Sequence, residues 1–454
     1  MEIFTHSFPL THFDPLALYQ NFCPNGPGLL QSLNPQAKTG RFSIVPLRWQ
    51  ERYSFQDGHL SCHQNHQTTP LPGPPLDLLA RILAERSVTA SPETPFPGGF
   101  FGYFGYDLAQ QIEDLPQKAR RDLQIPELEL YWVDVTAVYD HQQARMTLGT
   151  LDPEVNLALY AAAIKESRAS LPPEKLRIVQ QPMPFISPQE FTTMAQRGKD
   201  YIAAGDVYQV NLSCRFDGVL DGSSAELYRR LREINPSPFA CLLRFPGLDI
   251  ISSSPERLVS LRDGLAETRP IAGTRPRGYS PSEDQLLGHE LLCHPKERAE
   301  HIMLLDLERN DLGKVCQAGT VKVDELMVLE RYSHVTHIVS NVSGQLKEDC
   351  GPFELLRATF PGGTITGVPK KRCMEIIDEL EPVGRGSYTG SAGYISACGS
   401  MDLNILIRSF QRVGNTLSYQ TGAGIVADSI PEQEWLECLH KGEALRFLLE
   451  NTDQ

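Results

Sequence analysis

Two Glu-x-x-Glu steps stand far apart in this chain, Glu297 with Glu300 in KERAEH and Glu434 with Glu437 in PEQEWLEC. A spacing of three sets both carboxylates of a pair on one helix face, where like charges repel by roughly a few tenths of a kcal/mol. A hard cation such as Mg²⁺ takes oxygen ligands and cancels that repulsion, so two such helices facing each other would make a metal site. Spacing alone describes two solvated acidic faces more simply. The residues between the pairs decide the matter.

Three glycine-rich segments lie in that interval: PIAGTRPRG at 270–278, FPGGTITGVPK at 360–370 and QTGAGIVADS at 420–429. The second is not a P-loop, because Val368 and Pro369 follow Gly367 where Lys and Ser/Thr are needed. The third has the wrong glycine spacing for a dinucleotide fingerprint. Each reads as a loop, and exposed backbone N–H groups in such loops bind anions, carboxylates included. Loops, acidic pairs and isolated basic residues in one region suit a small anionic substrate held with a metal.

The elements that must position these residues follow from hydrophobic period. RFSIVPL, ELYWVDVTAVYD, FACLLRF, LDIISSS, ERLVSLR, SAGYISA and LNILIRSF read as strands. SEDQLLGHELLCHPKERAEHIMLLDLERND reads as one long amphipathic helix, and PEQEWLECLHKGEALRFLLEN as a closing helix. The pattern is mixed α/β with much antiparallel strand, not a βαβ array. A proline-rich stretch from Ser170 to Phe191 is the best candidate boundary, since proline opposes helix and ladder pairing alike. It separates an N-terminal region, 1–170, from a C-terminal region, 186–454.

Composition narrows the partners. The 454 residues carry a formal charge of −14, which argues against a nucleic-acid backbone as partner. The 10 cysteines are scattered without Cys-x-x-Cys, and read as reduced thiols. MEIFTHSFPLTHFDPL lacks the basic start and apolar run of a signal peptide, and no apolar stretch is long enough to span a membrane. A cytoplasmic protein is expected.

Ordered segments then carry a family resemblance: GDVYQVNLSCRF, SSSPERLV, ETRPIAGTRPRG, KERAEHIMLLDLERNDLGKV, ERYSHVTHIVSNVSG, FPGGTITGVPK and GAGIVADS, with GGFFGYFGYDLAQQIEDLP more weakly before them. Together they resemble component I of the chorismate-utilising enzymes, anthranilate synthase and aminodeoxychorismate synthase; isochorismate and salicylate synthases are more distant members. The resemblance implies an α+β fold of two packed antiparallel sheets flanked by helices. It implies Mg²⁺ ligation by Glu300 and Glu437, with Glu297 and Glu434 as outer or water-mediated partners. Gly273 and Thr274 match substrate contacts, and Tyr388, Arg408 and the Gly422–Ala423–Gly424 turn match residues holding the pyruvyl side chain. An Arg suits a carboxylate because its fork donates two parallel hydrogen bonds. Glu256 matches an active-site acid, His337 a residue facing the ring, and Lys441 a charge near the metal-bound carboxylate.

Gln209 bears on the nucleophile. Members that add water carry a Lys there as general base; Gln cannot remove a proton at neutral pH, so ammonia is the expected nucleophile. The chain has no Gly-x-Cys-x-Gly glutaminase motif, so the resemblance implies a separate glutamine amidotransferase subunit as partner. The product is read two ways. Aminodeoxychorismate synthases typically carry a Lys where this chain has Ala272, as anthranilate synthases do. GYDLAQQIEDLP, YQVNLSCRF, YTGSAGYIS and MDLNILIR lean towards aminodeoxychorismate synthase, as does the length. Feedback-sensitive anthranilate synthases carry Pro-Tyr-Met where this chain has Pro238, Phe239 and Ala240, and LLES where it has LLQS ending at Ser32. The expectation is aminodeoxychorismate synthase component I, with anthranilate synthase component I as the alternative and a non-catalytic chorismate-binding regulator as a third reading.

Overall fold

The strand Leu128–Asp140 is buried along its whole length, and its neighbours explain why. It pairs with Phe42–Gln56 along one edge and with Gly99–Phe104 and Arg145–Thr150 along the other. Its side chains alternate between two cores, and the alternation changes phase at Asp134, where the ladder to Phe42–Gln56 shifts register. Leu130, Trp132, Val135 and Ala137 enter the larger core, and Tyr131, Val133 and Val138 the smaller. Cys241, Leu243 and Phe245 of strand Phe239–Phe245 fill the smaller core from the other side, where the Tyr131 and Phe245 rings stack 5.6 Å apart. Two sheet segments therefore pack face to face, in the manner of a sandwich.

The computed structural model describes residues 2–33, 39–89, 94–167, 172–331 and 335–451. Within them the two segments belong to one antiparallel ladder system. One branch runs from Phe239–Phe245 through Leu248–Ser254, Ser409–Val413 and Thr416–Ile425 to Gln209–Gly222. The other runs from Gly99–Phe104 through Ser391–Ser396, Met401–Asn404, Arg257–Arg262 and Leu265–Thr268 to Val335–Gln345, which also pairs Ile271–Pro276. The expected α+β class with packed antiparallel sheets is what the chain adopts.

Several local expectations change. Residues 282–311 do not form one helix: Pro281–Cys293 and Pro295–Val315 meet at His294, which caps both. Pro295 has no N–H to donate and forces the residue before it into extended backbone. The closing helix is likewise two, Pro431–Lys441 and Glu443–Glu450, joined at Gly442. LNILIRSF is not continuous strand, because the ladder breaks after Asn404 and resumes at Ser409 beyond Arg408, whose φ is 51°. The proline-rich stretch pairs despite its prolines: Leu176–Pro184 is an edge strand on Gln209–Gly222 with two register shifts, the position where strand proline is tolerated. Ser170, Leu171 and the Tyr332–His334 part of the ERYSH segment lie outside the described residues. Among those described, no helix is long and apolar enough to cross a membrane, and the ten cysteines are unpaired.

Candidate active site

Helix Pro295–Val315 carries Glu297 and Glu300 in its first turns; helix Pro431–Lys441 carries Glu434, Glu437 and, at its end, Lys441. The two acidic pairs come within electrostatic reach of each other. Burial pushes the Glu300 carboxyl up from its usual range, and Glu297, Glu437 and Glu434 push it further against the pull of Lys296. Burial also raises Glu434, with Ser429 opposing and Glu437 adding to the shift. Ammonium groups take up part of this charge, Lys296 3.7 Å from Glu300 and Lys441 2.7 Å from Glu437. As the side chains stand, no three His, Cys, Asp or Glu residues among those described converge tightly enough to hold an ion. The donor chemistry nonetheless fits Mg²⁺: oxygen ligands only, in excess negative charge, on two helices whose carboxylates feel each other's charge.

A β-bulge builds the next part. Strand Ile271–Pro276 pairs with Val335–Gln345, and the register slips between Ala272 and Thr274. Gly273 absorbs the slip at φ 63°, and a Cβ there would lie 3.0 Å from Glu297 Oε2. The bulge therefore brings Gly273 against the first acidic pair, and PIAGTRP is strand with a kink, not loop. His337 Nδ1 lies 3.2 Å from the Gly273 carbonyl and 3.0 Å from Thr274 Oγ1. A carbonyl only accepts, so Nδ1 carries the proton and Nε2 is left as an acceptor. Burial, with Arg408 nearby, lowers His337 to about 4, so the imidazole is neutral at ordinary pH.

Glu256, 6% exposed, follows strand Leu248–Ser254. Burial pushes its carboxyl up to about 7, and Arg408 and Lys441 pull in the opposite direction. Its Oε1 is buried without a hydrogen-bonding partner. Lys441 donates to the Gly422 carbonyl at 3.1 Å and so ties the second acidic helix to the sheet.

Gly422, Ala423 and Gly424 form no turn. They lie in strand Thr416–Ile425, paired with Ser213, Leu212 and Asn211. The glycines serve close approach: a Cβ on Gly422 would lie 2.6 Å from Asn211 Oδ1, and one on Gly424 2.3 Å from Gln209 Nε2. Gln209 Oε1 is buried and unpartnered. Of the three glycine-rich segments, 360–370 holds no long strand, only a short 3₁₀ turn Gly363–Ile365 and a two-residue strand Gly367–Val368, while 420–429 leaves its strand after Ile425. Tyr388 is half-buried beside the guanidinium of Arg385, 5.7 Å from its ring centre, with Cys438 of the second acidic helix nearby.

The fifteen residues expected from sequence thus form one linked neighbourhood. What sequence reading missed is the frame beneath it. Fully buried Arg385 pairs with Glu381 at 2.7 Å and donates to the carbonyls of Asn211 and Ile365. Glu381 in turn accepts from the Ser213 backbone and hydroxyl. Glu308 was missed as well, though an acid in the stripe His301, Leu304, Leu305, Leu312 breaks the helical pattern and was visible as such. Gln31, Pro238, Phe239 and Ala240 line a separate pocket with Tyr394 and Asn404.

A family of chorismate binding enzymes matches residues 39–446. The chain belongs to this family. Aminodeoxychorismate synthase component 1 of Bacillus subtilis is 40% identical over 92% of the chain and 91% of that relative. Anthranilate synthase component 1 of Thermus thermophilus is 39% identical over 97% and 96%. The crystal structure of anthranilate synthase component I from Streptococcus pneumoniae superposes with a TM-score of 0.80 at 34% identity, covering 90% of this chain and 93% of that one. This member of the chorismate-binding family is thus a chorismate-utilising enzyme of the anthranilate synthase and aminodeoxychorismate synthase class.

Proposed function

We propose that the protein is aminodeoxychorismate synthase component I, which aminates chorismate to 4-amino-4-deoxychorismate with ammonia from a glutamine amidotransferase subunit. One observation carries amination over hydration. Gln209 reaches the Gly424 strand where, by resemblance, water-adding relatives hold a base, and an amide cannot abstract a proton from water. The choice of product rests on the sequence segments that lean towards aminodeoxychorismate synthase. Ala272 beside Gly273 favours the second reading, anthranilate synthase component I, because that position offers no amine for covalent attack.

The residues divide the work as follows. Arg408 and Tyr388 bind the pyruvyl carboxylate, and the glycines of strand Thr416–Ile425 let the substrate approach backbone. Gly273 and Thr274 contact the ring, and neutral His337 faces it with its orientation fixed through Nδ1. Glu256, protonated below about 7, gives its proton to the departing ring hydroxyl. Glu300 and Glu437, with Glu297 and Glu434 outside them, would hold Mg²⁺, which when bound supplies a positive template for the ring carboxylate. Lys441 adds charge beside that carboxylate.

Product identity is the test. The protein is incubated with chorismate, Mg²⁺ and ammonia, with and without aminodeoxychorismate lyase. Release of 4-aminobenzoate only with lyase is the expected result. Anthranilate without lyase would replace the first reading by the second.

A further inference from the structure

Beneath Glu256 lies a second carboxyl for which the site has no task. Glu308, on helix Pro295–Val315, is 6% exposed. Its Oε1 is 3.5 Å from the point a Cβ on Gly363 would occupy. The next residue, Thr364, turns its hydroxyl towards Glu256, and the Thr268 hydroxyl faces Glu308. Asp311 is already engaged, taking Lys370 at 2.5 Å and Lys314 at 2.9 Å. Lys370 also donates to the Thr359 carbonyl at 2.9 Å.

Three polar atoms around the two carboxyls are buried without an aligned partner: Glu256 Oε1, Thr268 Oγ1 and Thr364 Oγ1. Buried polar atoms in native proteins are satisfied by protein or by ordered water, and a water needs two to four such partners, as here. The charged groups facing Glu308 are Asp311, Lys370 and Glu256; those facing Glu256 are Arg408, Lys441 and Glu308. Burial, with Asp311 and Glu256 beside it, favours the protonated form of Glu308.

We infer that Glu308 is a proton reservoir for Glu256, with the Thr268 and Thr364 hydroxyls positioning water between the two carboxyls. The inference rests on the reading of Glu256 as the acid of amination. Glu256 protonates the departing ring hydroxyl, whose C–O bond breaks to release water. The new C–N bond leaves a positively charged nitrogen, which loses one proton to solvent. Glu308 passes its proton along the water to the Glu256 carboxylate and regains one from solvent, so no net proton is consumed. Glu308 touches no reacting atom and acts through Glu256.

The test is a mutant cycle on the full chain with saturating ammonia and Mg²⁺. Glu308→Gln keeps size and neutrality but cannot release a proton. It should lower kcat about tenfold or more, with the chorismate KM within about twofold. The alkaline limb of its kcat profile should move to lower pH, because the mutant lacks the negative charge that Glu308 acquires above its own titration. Thr364→Val should reproduce the kcat loss in part, and Glu308→Asp should restore some activity. Glu256→Gln with Glu308→Gln should be no slower than Glu256→Gln alone. Infrared difference spectra should lose one protonated-carboxyl band in Glu308→Gln. An unchanged kcat and pH profile in Glu308→Gln, or additive losses in the double mutant, would overturn the inference. Full activity in Glu256→Gln alone would instead remove the acid role beneath it.

Discussion

Two sets of carboxylates serve this site from opposite environments. Glu300 and Glu437 stay partly open to solvent, each beside a lysine on its own helix. Glu256 and Glu308 are buried, and the lysine near Glu308 is engaged by Asp311. In the first set burial is partial, and the lysines offset part of the negative charge that the carboxylates share. In the second set burial is nearly complete and desolvation penalises the charge more heavily, so the groups keep protons. On the proposed reading, the same side chain serves as a metal ligand or as an acid according to what surrounds it.

The sharpest way to break this division is Glu300→Ala. On the proposed metal role, losing Glu300 removes about several kcal/mol of charge stabilisation, so Mg²⁺-dependent kcat/KM should fall by about three orders of magnitude. Titration calorimetry should show weakened Mg²⁺ binding; undiminished binding would mean that the helix carboxylates are not the metal set. Next in size is Arg408→Lys, which loses the bidentate fork and should raise the chorismate KM about tenfold to a hundredfold, with kcat less affected. Steady-state kinetics separate the two, and an unchanged KM would remove Arg408 from the substrate.

Gly424→Ala sharpens the picture further. The new Cβ would lie 2.3 Å from the movable end of Gln209, so the chain should fold while Gln209 shifts and kcat falls about tenfold. A melting curve beside the assay distinguishes this from lost stability. The smallest effect is in stability against pH. Burial pushes the Glu256 carboxyl up to about 7 in the native state, against 4.5 when unfolded, so between these values the native state binds the extra proton. Its contribution is present below that window and lost as pH rises through about 7. Glu256→Gln, which stays neutral, should gain about a few degrees of melting temperature over the natural chain between pH 5 and pH 8. A pH-independent difference would mean that Glu256 is not buried as a proton carrier.

Legibility in the sequence followed the kind of interaction. The acidic pairs were visible because helix spacing alone sets their geometry. The strands were visible because their alternation meets cores on both faces. The Gly422–Ala423–Gly424 segment was misread because glycine serves two purposes, turn and close approach, and only the neighbouring strand Gln209–Gly222 tells them apart. The double helix at His294 was written in Pro295, but the apolar period running through it hid the break. Arg385 with Glu381 could not be foreseen, since their burial depends on strands and loops distant in the chain.

The interleaving of strands also governs how the chain is made. Gly99–Phe104 waits for Ser391–Ser396 as its ladder partner, and Gly28–Gln31 waits for Phe239–Phe245. On the ribosome the early strands emerge with hydrophobic edges that nothing yet covers, and pairing of such long range is slow. Synthesis therefore passes through a long interval in which the nascent chain needs shelter from its own neighbours.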